Sequence, residues 1–88
     1  MSTVIDELRR RMAPLEPDFI DISDESAQHV GHAGASQGGK HLRLTIVSDR
    51  FTGLTPVARH RLVYQFVTDM IPHPIHALAI NAIASNEN

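Results

Sequence analysis

The sequence predicts an α/β (α+β) domain of order αββαβ, a three-stranded mixed sheet with helices packed on it. Hydrophobic and polar residues alternate from Phe19 to Ser23 and from Lys40 to Ser48, the period of half-buried strands. Apolar residues recur at helical spacing in two other stretches, Val4 to Met12 and Ala58 to Met70. A last apolar run, His76 to Ala84, follows Pro72 and Pro74, which close the second helical stretch. With 88 residues, 42% of them hydrophobic, the chain has material for one modest core and is read as one domain over residues 1–88.

Taken in order, Ser2 or Thr3 can cap the first helix, whose apolar positions are Val4, Ile5, Leu8 and Met12. Arg9, Arg10 and Arg11 collect near its C-terminal end, where the helix dipole favours cations, and Pro14 and Pro17 stop it. In the first strand Ile20 and Ile22 share one face and Asp21 and Ser23 the other. Residues 26–39 (SAQHVGHAGASQGG) hold four glycines and two histidines without a readable period, and are taken as a long loop. The second strand turns Leu42, Leu44 and Ile46 to one face and His41, Arg43 and Thr45 to the other. After the turn-like SDRFTG, Thr55 as N-cap and Pro56 as first helical residue start a helix expected to reach about Ile71. Its stripe is Ala58, Leu62, Val63, Phe66, Val67 and Met70, with Arg59, Gln65 and Asp69 expected in solvent. The third strand, HALAINAIA, groups Leu78, Ile80 and Ala82 against Ile83, and the tail SNEN is expected to fray.

This order constrains the geometry. A helical crossover makes the second and third strands parallel if they share a sheet, while the directly joined first and second strands should be antiparallel. The end of the first strand and the starts of the other two then meet at one edge. The 26–39 loop, with His29 and His32, therefore shares an end of the sheet with His76.

Composition narrows the chemistry. The chain has six histidines and no cysteine, so a soft metal site must be built from imidazole, with any thiolate supplied from elsewhere. Without cysteine there is no disulfide framework, and no apolar stretch approaches a signal sequence or a membrane span, so a cytoplasmic location is expected. A cysteine nucleophile, a GxxxxGK loop and an HExxH pair are all absent, so no enzyme activity is expected. A net charge of −2 argues against strong nonspecific binding to phosphate backbones.

Four separated blocks then carry a resemblance: DES..H at Asp24 to His29, VSDRFTG at Val47 to Gly53, RHR..Y at Arg59 to Tyr64 and IHALAI at Ile75 to Ile80. Together they closely resemble the BolA family over roughly residues 19 to 84. The resemblance implies a class II KH-like fold with a helix-turn-helix-like segment. It also implies a monothiol glutaredoxin partner, joined as a heterodimer through a shared [2Fe–2S] cluster with glutathione or through an apo contact at the same surface; alone, the chain would be a monomer or weak homodimer without cofactor. Some members are instead described as DNA-binding transcriptional regulators of stress or envelope genes. By the same resemblance His76 matches the recurrent cluster ligand. The second ligand falls in the loop, at His29 or, because this chain adds a VGHAG segment, at His32. Because ligating imidazole must be neutral, retention of such a cluster should weaken below about pH 6.

The remaining histidines have plainer readings. His41 reads as a strand-face residue, His60 as a packing histidine in the helix and His73 as exposed between prolines. For the DNA alternative the candidate contacts are Arg59, Arg61, Arg50, Lys40 and Arg43, although no GxxG clamp lies between helices and aromatic stacking platforms are few. A mononuclear zinc or copper site made of His29, His32 and His76 is a further alternative on spacing.

Overall fold

In the computed structural model, which describes residues 3–26 and 39–87, Thr3 opens the first helix, α1 (Val4–Arg11), with a reciprocal capping box. The Asp6 N–H donates to the Thr3 hydroxyl at 3.0 Å and the Thr3 N–H donates to the Asp6 carboxylate at 3.3 Å, satisfying two amides that the helix leaves unpaired. A short 3₁₀ turn at Ala13–Leu15 then turns the chain into strand β1 (Phe19–Asp24). Strand β2 (Lys40–Ser48) follows, then a 3₁₀ turn at Asp49–Phe51, helix α2 (Pro56–Tyr64) and strand β3 (Ile75–Ala84). No described helix is long and apolar enough to cross a membrane.

The sheet has the order β1-β2-β3, with β1 antiparallel and β3 parallel to the central β2, as the connections require. Leu42, Leu44 and Ile46 of β2 share one buried core with Leu8 of α1, Met12 at its C-cap and Val63 of α2, together with Leu15, Phe51, Val67, Met70, Ile75, Leu78 and Ala84. Both helices contribute to this core, α1 through its apolar stripe and α2 through Val63.

Two expectations are corrected. The second helix ends at Tyr64 rather than near Ile71. The Phe66 and Val67 amides donate to the carbonyls of Val63 and Tyr64, three residues back, and a 3₁₀ turn follows at Thr68–Met70. The tightened backbone still buries Val67 and Met70, so the apolar stripe outlasts the helix. The tail also folds further than expected: Ser85–Glu87 forms a 3₁₀ turn whose Glu87 carboxylate accepts from Arg59 and from the Ala84 N–H.

Candidate metal centre at the sheet edge

The end of β1 and the starts of β2 and β3 meet at one edge of the sheet, and β3 enters there with an irregularity. Lys40 pairs with Ile75 and His41 with Ala77, so His76 is an extra residue facing no partner in the ladder. Counting back from buried Leu78 by strict alternation would put His76 on the core side and Ile75 outside. The bulge reverses both: Ile75 is fully buried and His76 is exposed. Extra residues of this kind re-aim side chains at the ends of strands.

The imidazole thus turned outward meets another. His41, half-buried on the outer face of β2, has its ring centroid 5.2 Å from that of His76, with the rings tilted by 48°. The backbone around the pair is tied down. The His41 N–H donates to the Ser26 hydroxyl at 3.0 Å, its carbonyl accepts from the Glu25 N–H at 2.7 Å, and the Lys40 N–H donates to the Pro74 carbonyl at 2.9 Å. Gly39 closes the arrangement. It sits at φ +88°, and a Cβ built on it would lie 2.9 Å from the His76 Cβ, so only glycine fits beside this histidine without a shift.

Nearby charges are paired within the fold. Lys40 lies 3.5 Å from the Asp24 carboxylate and Arg43 3.0 Å from that of Glu25. Hydrogen bonds from Ser26, followed by the Lys40 charge, hold the Asp24 carboxyl below its ordinary value.

Of the histidines named from sequence, His76 stands in this centre, whereas His29 and His32 lie outside the described residues. Ser26 and Gly39, the described ends of the loop that carries them, adjoin His41 and His76 respectively. His41, read from the sequence as a strand-face residue, lies half-buried on the outer face of β2, and its nearness to His76 follows from its position at the start of that strand. His60 is exposed and packs its ring on Tyr64 one turn later, centroids 4.6 Å apart, and His73 is exposed. Among the described residues no group of three histidine or acidic side chains is placed to hold one metal ion.

The basic residues named for nucleic acid are scattered and mostly engaged. Arg59, expected in solvent, is only 12% exposed. It donates to the Leu54 and Ala82 carbonyls at 2.9 and 3.2 Å and grips Glu87 through two bonds of 2.7 and 2.8 Å. Arg50 pairs with Glu16, while Lys40 and Arg43 have the partners named above. Arg61, exposed on α2, alone of the five has no carboxylate partner among the described residues.

Comparison with known proteins agrees with this architecture. The family BolA, described as BolA-like protein, matches residues 12–87. The DNA-binding transcriptional regulator BolA of Vibrio cholerae is 43% identical over 72 residues, covering 82% of this chain and 65% of the regulator. BolA-like protein 1 of Mus musculus is 40% identical over 68 residues, covering 77% of this chain and 47% of that protein, so the chain spans about half to two thirds of these relatives. In three dimensions the BolA domain of SufE1 from Arabidopsis thaliana superposes with a TM-score of 0.85 at 35% identity, covering 100% of this chain and 99% of that one. Sequence match, strand order and the superposition over the whole chain lead to one assignment: the chain belongs to the BolA family.

Proposed function

We propose that this chain is a non-enzymatic partner of a monothiol glutaredoxin and helps to hold a shared [2Fe–2S] cluster through its histidines, in iron–sulfur cluster handling or iron sensing. The observation that supports this reading is the His41–His76 pair, two imidazoles 5.2 Å apart at an open sheet edge. Two imidazoles each about 2 Å from one tetrahedral metal through a ring nitrogen have centroids roughly 5 Å apart, so the pair suits a single iron. Two-histidine ligation of one iron in such a cluster raises its reduction potential, which is the chemistry the bound group would supply. Lacking cysteine, the chain leaves thiolate ligation to the glutaredoxin and glutathione. We assign His76 as one ligand and His41 as the second by its ring contact, with His29 and His32 as the competing assignments from the loop.

The test is visible circular dichroism of the chain mixed with a monothiol glutaredoxin, glutathione, iron and sulfide. A heterodimer spectrum distinct from that of the glutaredoxin homodimer is expected, lost in His76→Ala. Among His41→Ala, His29→Ala and His32→Ala, loss of the spectrum identifies the second ligand. A spectrum unchanged by adding the chain would sink the shared-cluster reading.

The printed name of the Vibrio cholerae relative favours a second reading, DNA-binding regulation. Four of the five candidate cations have carboxylate partners in this fold, which leaves Arg61 as the one of the five without such a partner among the described residues to meet a phosphate.

A further inference from the structure

We propose that the outer edge of β3 binds an extended acidic peptide segment of a partner protein, which adds a short strand beside Ile80. The inference is independent of the cluster reading, because it uses the middle of β3 and no histidine as a ligand.

Backbone alternation decides which groups this edge presents. Along a strand, the N–H and C=O of one residue leave on the same side and those of the next residue on the other. The His41 and Val47 carbonyls accept from the Glu25 and Asp18 amides, both at 2.7 Å, so the odd-numbered residues of β2 face β1 and the even-numbered ones face β3. In the parallel register Leu42 lies beside Leu78, Leu44 beside Ile80 and Ile46 beside Ala82. Those three β2 residues bond to the sequence neighbours of their partners, so the backbone groups of Leu78, Ile80 and Ala82 point away from the sheet. Side chains cover the two outer positions. The Tyr64 hydroxyl donates to the Leu78 carbonyl at 3.5 Å and Arg59 donates to the Ala82 carbonyl at 3.2 Å. Between them, no side chain among the described residues meets the N–H or the C=O of Ile80. Outward donors and acceptors of this kind form a template for one more strand.

The surface beside this window selects the occupant. A cleft of about 260 Å³ opens between Ile80 and the α2 residues Pro56 and His60, and Val57 next to it is 59% exposed. A residue paired opposite Ile80 turns its side chain, as Ile80 does, toward α2, so an apolar one fits the cleft. An acidic residue two positions along returns to the same side and meets Arg61, which is exposed and has no carboxylate partner among the described residues. A second copy of β3 fits less well. It carries no acidic residue from Ile75 to Ala84, and antiparallel pairing about Ile80 sets Leu78 opposite Ala82, so Tyr64 of one copy and Arg59 of the other contend for one gap. A phosphate backbone lacks the N–H donor that the Ile80 carbonyl requires.

The experiment follows backbone amides by NMR as the isotope-labelled chain is titrated with the blocked peptide acetyl-Glu-Thr-Val-Thr-Glu-amide, which sets valine opposite Ile80 in either strand direction. A saturable shift of the Ile80 and Ala82 amides is expected, with those of β1 unmoved. N-methylation of the peptide valine removes the donor to the Ile80 carbonyl and should abolish the shift, as should Val57→Asp in a chain that keeps the parent's melting temperature. Arg61→Ala should weaken binding about two- to fivefold, the reach of one exposed ion pair. Absence of a saturable shift, or a shift that survives N-methylation, overturns the proposal. Movement of the Ile80 amide with chain concentration alone assigns the edge to a second copy, and a response to single-stranded oligothymidylate but not to the peptide assigns it to nucleic acid; either result also overturns it.

Discussion

Gly39 shows how one residue sets the geometry of this edge. Its φ of +88° is open to glycine and costly for any residue with a Cβ, and the space a Cβ would take is filled by His76. Gly39→Ala therefore carries both a backbone penalty and a 2.9 Å contact. The substitution is expected to lower stability by about 1–3 kcal/mol in urea unfolding, the range for a residue held in a disfavoured backbone region. It should also shift His76 relative to His41 and so, under the shared-cluster reading, weaken the visible circular dichroism of the mixture with glutaredoxin. A variant as stable as the parent, with an unchanged spectrum, would show that the contact relaxes freely and that Gly39 positions nothing. The glycine is visible in the sequence as part of a Gly-Gly pair, but its purpose is not: the residue it must avoid lies in another strand.

At the scale of the element, α2 and β3 show how far patterns reach. Thr55 and Pro56 mark the start of α2 unambiguously, and the Thr55 hydroxyl accepts from the Ala58 N–H at 3.1 Å as an N-cap should. Arg59 sits off the apolar stripe, so periodicity assigns it to solvent, yet its guanidinium reaches over the edge strand to the Ala82 carbonyl. Arg59→Ala should thus lower the melting temperature by several degrees, whereas Arg61→Ala, on exposed surface, should leave it nearly unchanged. If the DNA-binding reading holds, Arg61→Ala should also weaken DNA affinity and shallow its salt dependence; a gel-shift titration that separates neither variant from the parent would dismiss the α2 face. The β3 bulge was partly legible. Ile75 and Leu78 are both large and apolar but three apart, a spacing that alternation cannot place on one face without an extra residue between them.

Across the whole molecule, ion pairs tie the ends of the chain to its centre. Arg11 of α1 meets Asp69, beyond α2, at 2.7 and 2.9 Å, and Glu87 clasps Arg59. The Arg59 fork first, and then the Ala84 N–H, hold the Glu87 carboxyl down to about 2 from its ordinary 4.5. Because this carboxyl is more acidic in the folded state, the unfolded chain takes up the proton first on acidification. The stabilisation is complete above about pH 4.5 and disappears as pH falls through about 2. Glu87→Gln should accordingly be less stable than the parent at pH 7, by an amount that shrinks between pH 4.5 and pH 2, in denaturant midpoints taken across that range. A gap as large at pH 3 as at pH 7 would mean that Glu87 acts through packing rather than charge. The Glu87 side chain is half-exposed, so solvent screens its charge and the effect is modest.

From the amino-acid sequence alone follow the element order, the mixed three-stranded sheet, most of the core, and the meeting of the end of β1 with the starts of β2 and β3. These depend on local periods, caps and the handedness of connections, each carried by residues near one another in the chain. Only the tertiary structure decided that His76 points outward, that His41 is the imidazole beside it, and that Arg59 guards an edge strand. Each of these depends on register and on contacts between residues far apart in sequence, where a shift of one position moves a side chain to the opposite face of the sheet.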